Sequence, residues 1–438
     1  TARGGQTGAF AYPWGAHYVP VPMAENQPFL QLLDEMKVVE RFQPDGTPVI
    51  AEQFLCRDPS ERLFQEGRWH EGLYPYVDAS EDDLRQLAEF RAEIGRWVAK
   101  RDSSGRRMFA IPRDTGSDSD EVRALDQISM SRWMDQQGWN SSRLRWYVDY
   151  ACRDDYGLTI DRVSAWAGVF YFAARVRQPG DESQGVITWP EGNARVVGHL
   201  TQQIGRRLRS GMAVHEISPA EDSGKGLSVL AKDISSGGSA VSIRADRVIF
   251  AAPQFLAPHL IRGVALSPRS GFQYGTWLVA NVHLRDRPSE SGFAMSWDNV
   301  IYQSKSLGYV TSTHQTGLDH GPTVLTWYYP FADDLPKLTR EKMLRLDWAD
   351  LVMTDLRVAH ADIDSLVTRV DIMCWGHAMV QPRTGFLWSE DRIKAARPVE
   401  GIHFAGTDLS GVPLIEEAFY HGVRAADEVI ASRAAVSV

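Results

Sequence analysis

The stretch GIHFAGTDLSGVPLIEEAFYHGVRAADEVI, Gly401 to Ile430, sets a glycine, a carboxylate and a helix start close together in the chain. GIHFAG reads as an apolar strand running into Gly406, where the missing Cβ lets the backbone approach a ligand closely. Asp408, just after the turn, is positioned to accept a hydrogen bond from a sugar or polyol hydroxyl. Residues Ile415 to Ile430 have amphipathic helical spacing, and the first amides of such a helix lack intrahelical acceptors and carry partial positive charge. Together the three features suit a phosphate-bearing cofactor. They also suit a plain strand–loop–helix crossover, because fold by itself does not imply function. A dinucleotide would need a second loop, GxGxxG with an acid about 20 residues later. No such loop occurs in the 438 residues.

Other side chains of the right type are scattered. His377, with Trp375 in CWGHAM, is of the side-chain type suited to orienting a substrate or accepting a proton near neutral pH. A satisfied loop histidine is the alternative. Trp166, Phe170, Tyr171, Trp327, Tyr328 and Tyr329 suit either an aromatic cavity that selects cations or plain core. Glu416 and Glu417 open the last helix, where acids offset the dipole without doing chemistry. Lys305 is a candidate catalytic amine or a solvated strand-end lysine.

The bulk numbers exclude several classes. Net charge is −9, against a nucleic-acid or anionic-membrane surface. Cys56, Cys152 and Cys374 lie far apart without CxxC spacing, which leaves no zinc knuckle or disulfide framework and fits free thiols in a reducing compartment. No apolar run reaches the ~20 residues of a membrane span. The chain opens on Thr1 rather than Met. A cytoplasmic location is therefore expected, or an exported or periplasmic one if an N-terminal signal was removed.

These residues need elements to position them. The first twenty residues are dense in Gly and aromatics and read as loop and short strands. From Ser80 the pattern turns helical, with Ser80 and Asp83 as a cap and Leu84, Leu87, Ile94 and Trp97 recurring at helical spacing. Ser164 to Arg175 is apolar all round, a buried helix or cavity wall. After Gly185 come a strand, a Pro/Gly turn and a helix, then strands ending in apolar Val248 to Ala251. Gly271 to Met373 alternates in strand fashion, broken by one helix around Arg340 to Ala359. This order suggests two domains between which the chain crosses repeatedly.

Four blocks, in order, resemble the flavin-containing amine oxidase superfamily. GIHFAGTDLSG…IEEAFYHGVRAADEVI is similar to its C-terminal FAD motif. ARGGQTGAFAYPWGAHYVP resembles the segment that follows the N-terminal fingerprint and lies against the flavin. TWPEGNARVVGHL resembles the Pro-Gly-Gly turn, with Asn193 where a second Gly is common. GMAVHEI…ADRVIFAAP resembles the strand pair at the adenosine end. The resemblance implies an α/β fold: a Rossmann-like FAD-binding domain of the glutathione-reductase type, built from discontinuous segments, plus an α+β substrate domain of the amine-oxidase type. The expected segments are 1–75, 185–265 and 376–438 for FAD, with 76–184 (helical) and 266–375 (sheet) for substrate.

Carried over to this chain, the resemblance puts Arg3 and Gly4 near the phosphate or ribityl part, and Trp14, Gly15, Ala16 and His17 along the flavin. Val214 and Ala252 fall to the adenine end, Gly406 and Asp408 to the pyrophosphate and ribityl chain, and the amides of Ile415 and Glu416 to the pyrimidine edge. His377 and Trp375 are the catalytic candidates. Two departures stand out. The first βαβ unit, with its GxGxxG loop, belongs just upstream of Thr1, so a second polypeptide or an upstream segment is expected to carry it. The amine cage is also incomplete: one aromatic position falls at Leu414 and the other near Ala378, and the position of the family lysine falls at Asn281. The implied reaction is hydride removal from a C–H beside the nitrogen of an amine or polyamine to flavin N5, with reoxidation by O2 or another acceptor. The alternatives are a desaturase or oxidase acting on C–C bonds of an apolar substrate, and a non-catalytic fragment that needs a partner chain to bind FAD.

Overall fold

The computed structural model describes residues 2–8, 10–180, 185–220, 226–332 and 347–434. Its centre is a seven-stranded mixed sheet. The strands run in the order Val367–Val380, Tyr274–Leu284, Thr323–Pro330, Tyr309–Thr311, Asp298–Ile301, Glu61–Gln65 and Arg68–Glu71. All neighbours are antiparallel except Asp298–Ile301 and Glu61–Gln65, which run parallel with Asp298 opposite Glu61.

Strand alternation divides the apolar residues between two faces. Trp277, Val279 and Tyr328 join Tyr12, Trp14, Tyr150 and Trp297 on one face. Leu278, Ala280, Val282 and Trp327 face the other way, and the Trp348–Ala359 helix covers them through Val352, Met353 and Leu356. Both faces are thus buried, which explains why Tyr274–Leu284 is buried almost throughout. Of the helix expected around Arg340 to Ala359, Trp348–Ala359 is observed and 340–346 lies outside the described residues.

Residues 61–71, which fall in the expected first segment, pair into this sheet. Arg62 fixes them there. Its fully buried guanidinium donates to Asn299 Oδ1 at 2.5 Å, Phe293 O at 3.0 Å and Glu290 Oε1 at 2.6 Å, and lies 3.9 Å over the Trp69 ring. Losing so many partners would leave a buried charge uncompensated.

A helical layer packs beside the sheet. Ser80 and Asp83 form a reciprocal capping box at the start of Glu81–Ala99, with Ser80 Oγ accepting from Asp83 N at 3.1 Å. Leu87, Ile94 and Trp97 of that helix are buried and Leu84 is exposed. Ala165–Ala173 sits at the middle of this layer, with Trp166 and Phe170 stacked on each other.

The third region carries the closing motif. Val248–Phe250 and Ile402–Phe404 form a parallel pair, the Ile415–Ala434 helix follows, and Met212–Pro219, Leu227–Asp233 and Ser239–Ala245 make an antiparallel sheet. Among the described residues the parallel pair gains no third strand. No helix of the described residues is long and apolar enough to cross a membrane, and Cys56, Cys152 and Cys374 are free.

Candidate functional site

One strip of backbone organises the site. Pro13 to Tyr18 run through the molecule with every carbonyl held by a donor from elsewhere. Asn281 Nδ2 donates to Pro13 O at 3.1 Å, Trp375 Nε1 to Trp14 O at 2.7 Å and Tyr328 Oη to Gly15 O at 2.9 Å. The Asn193 amide donates to Ala16 O at 3.0 Å, Thr188 Oγ1 to His17 O at 2.8 Å and Asn193 Nδ2 to Tyr18 O at 3.0 Å. Sheet and turn therefore fix the strip from both sides, and no buried carbonyl is left unpaired.

Gly192 makes that contact possible. Its φ is +64°, and a Cβ there would meet Ala16 O at 2.7 Å and Pro13 Cβ at 2.9 Å. The Pro/Gly turn thus has a definite task, which is to close against the strip.

Above the strip lies a cavity of about 440 Å3. Gly15, Ala16 and His17 line one side, and Ala252, Gly406, Asp408, Ile415 and Glu416 another. Trp375, His377, Tyr328 and Leu414 complete the wall. Ten of the fourteen residues singled out from the sequence meet here. Arg3, Gly4, Trp14 and Val214 do not line it. Arg3 is exposed and holds the strip through its carbonyl, which accepts from Trp14 N at 2.7 Å. Gly4 lies in a short strand against Glu191 and Ala194, Trp14 packs in the sheet core, and Val214 is 38% exposed on the antiparallel sheet.

The charged groups on the cavity wall are all acids: Asp154, Asp155, Asp408 and Glu416. Asp408 Oδ2 accepts from Gln254 N at 2.8 Å and Tyr274 Oη at 2.5 Å, which fixes its carboxyl, and burial raises its pKa. Burial pushes Glu416 up to about 7. Glu417 also rises to about 7 through burial, but it serves structure, accepting from Arg113 N at 2.6 Å and Ser410 Oγ at 2.5 Å. His17 is pushed down to about 4 by burial, so it adds no positive charge at neutral pH. Its ring stacks on Tyr328 at 5.1 Å. His377 is exposed at the rim and stacks on Phe255 at 4.3 Å.

Several of the sequence candidates lie away from this cavity. Asn281 is fully buried behind the strip, where its Oδ1 accepts from Thr326 Oγ1 at 2.7 Å, so it does not reach the cavity. Lys305 lines neither this cavity nor the one beside it. Of the six aromatic candidates, Tyr171 and Tyr328 line one or both of these two cavities, while strand alternation sends Trp327 and Tyr329 to the opposite face and Trp166 and Phe170 pack in the helical core.

Sequence reasoning also missed a second chamber of about 790 Å3, which adjoins the first at His17, Tyr18, Asp154 and Tyr328. Glu61, Asp154 and Asp298 line it, drawn from three distant segments without a local motif. The only signal was the acidic pair in RDDYG, on the Ser142–Tyr156 helix.

FAD fits the first cavity at its flavin end. Gly406 has φ +131° and a Cβ there would meet nothing within 4 Å, so the backbone opens on to free space. Asp408 can accept from ribityl hydroxyls, and the first amides of the Ile415–Ala434 helix can donate to the pyrimidine edge. The volume lies in the range of cofactor cavities.

The model of the flavin containing amine oxidoreductase family matches residues 14–430. No curated protein matches the chain by sequence. Among solved structures, putrescine oxidase bound to putrescine superposes with TM-score 0.68 at 15% identity, covering 98% of this chain and 90% of that one. Cyclohexylamine oxidase from Brevibacterium oxydans gives 0.61 at 14% identity, with 97% and 89% covered. A fatty acid isomerase from P. acnes gives 0.63 at 11%, with 96% and 87% covered. At these identities the likeness concerns the fold.

Proposed function

The chain belongs to the flavin-containing amine oxidoreductase family, whose members are FAD-dependent, and from that premise we propose that it oxidises amines at the C–H beside nitrogen. Bound FAD supplies the acceptor for the hydride and its two electrons. Gly15, Ala16, Gly406, Asp408, Ile415 and Glu416 hold it. The residues around it orient the amine and keep water out.

One observation carries the reading. The cavity wall is acidic and aromatic, with no lysine or arginine among its described residues. A protonated amine is drawn to such a wall, and the aromatic side chains of Tyr328 and Trp375 line it. His17, neutral through burial, does not repel it. An amine must lose a proton before hydride can leave its carbon, and Asp154 is the acceptor we assign. Burial, reinforced by the neighbouring Asp155 charge, lifts its carboxyl to about 7, where it can take and release a proton at neutral pH. The resulting iminium hydrolyses to an aldehyde and ammonium.

The expected test is chemical. Holoenzyme given primary amines and a dye acceptor should release the corresponding aldehyde and ammonia. A specific feature favours the rival carbon–carbon chemistry: Leu414 stands on the wall where a second ring would complete an amine cage. No carbonyl product from any amine, with turnover of an unsaturated fatty acid, would decide for the rival. No comparison supports a second polypeptide.

A further inference from the structure

The seven-stranded sheet ends on one side in Val367–Val380, a strand of 14 residues paired only with Tyr274–Leu284. Its opposite edge is the four-residue strand Arg68–Glu71. A long open edge is a template for another strand, and proteins blunt it with short length, proline or charge. Val367–Val380 is neither short nor broken by proline.

The register shows which backbone groups stand open. Phe331 N donates to Thr276 O at 3.0 Å, in step with Trp277 opposite Pro330. Even-numbered residues of Tyr274–Leu284 therefore turn their backbone groups towards Thr323–Pro330, and odd-numbered ones towards Val367–Val380. Val279, Asn281 and His283 stand opposite Met373, Asp371 and Arg369. Those three are thus the bonded residues of the edge strand, while Val370, Ile372 and Cys374 present amide and carbonyl outward. Among the described residues no group meets them. Val370, Ile372, Met373 and Cys374 are also partly exposed. Between Val367 and Trp375 the charges are Arg369 and Asp371, one of each sign, two residues apart on one face and 2.6 Å from each other. Asp371 also holds His283 Nε2 at 3.0 Å.

We propose that this edge pairs antiparallel with the same edge of a second copy of the chain, about a two-fold axis at Val370. Val370 then exchanges both backbone bonds with Val370 of the partner subunit, and Arg369 stands opposite Asp371 of the partner subunit, with the reciprocal pair across the axis. Opposed side chains at such positions lie ~5 Å apart at Cβ, close enough for ion pairs between the copies. Moving the axis one residue either way sets Asp371 or Arg369 opposite its own copy. Moving it two residues towards Trp375 sets both charges opposite apolar side chains. Charge therefore selects one register, and a pair that would guard the edge against other strands fits its own copy. The two sheets become one. The contact is confined to one strand edge of each copy, which places it among weak, reversible interfaces. It does not depend on what the flavin oxidises.

Sedimentation equilibrium of the FAD-loaded protein across roughly 1–200 μM, the range a weak interface requires, should show a reversible monomer–dimer equilibrium. Arg369→Asp sets acid against acid on both sides of the axis and should weaken the dimer about tenfold or more. Arg369 is exposed, so this variant is expected to fold. Adding Asp371→Arg reverses both signs and should return Kd to within about threefold of the parent, a rescue that a general loss of structure cannot give. Val370→Pro removes an outward donor that no bond within the chain uses, and should leave a flavin-loaded monomer. A protein monomeric throughout the range, or a dimer that both Arg369→Asp and Val370→Pro leave unchanged, overturns the pairing. A dimer weakened by Arg369→Asp and not restored by Asp371→Arg overturns the register at Val370.

Discussion

At the scale of single residues, Asp154 has the most to reveal. It faces both cavities, and its folded pKa of about 7 stands well above the ordinary 3.8. A raised acid binds a proton in the folded protein that the unfolded chain has already lost between about pH 4 and 7. Stability therefore falls as pH rises through that window, and the full penalty is present above it. Asp154→Asn should be more stable than the parent at pH 8, on the order of 1 kcal/mol, with the gain vanishing as pH falls towards 4. Thermal melts across that range check the sign. The same substitution should slow amine oxidation, the usual conflict between stability and a strained site. His377 illustrates the opposite outcome. Its sequence neighbours suggested the centre of the site, but it stacks at the rim on Phe255, so His377→Ala should change KM by only a few-fold.

At the scale of elements, the strip Pro13 to Tyr18 decides the geometry of the flavin site. Asn281 is the clearest lever on it, because it joins the strip to the middle of the sheet through Pro13 O and Thr326. Asn281→Leu leaves Pro13 O buried without a donor and should cost about 1–3 kcal/mol, read as a lower denaturation midpoint. Gly192→Ala should act on the turn instead. Its new Cβ would lie 2.7 Å from Ala16 O, at a φ that side chains rarely adopt, so flavin retention should fall along with stability. The motif at Gly401 to Ile430 was legible because strand, glycine and helix are local patterns. The capping box at Ser80 was legible for the same reason. The strip was not, since its donors come from Asn193, Thr188, Asn281, Tyr328 and Trp375, and sequence spacing says nothing of such distant partners.

At the scale of the whole molecule, two cavities meet at one acidic junction, each built by a different part of the fold. The flavin end draws on the parallel strands and the closing helix, and the chamber on the seven-stranded sheet and the helical layer. The α/β class and the flavin family were readable in the chain, because four blocks fall in order. The chamber was hidden because Glu61, Asp154 and Asp298 gather only after residues 61–71 join the sheet beside Asp298–Ile301. A GxGxxG loop is absent from the 438 residues, so flavin content itself is informative. The most direct test of the central claim is an anaerobic absorbance titration of FAD-loaded protein with 1,4-diaminobutane, which needs no knowledge of the natural acceptor. Amine oxidation through this cavity predicts that the oxidised-flavin bands bleach with the diamine, and more slowly in Asp154→Asn. A protein that takes up no flavin, or whose bands persist with every amine added, contradicts it.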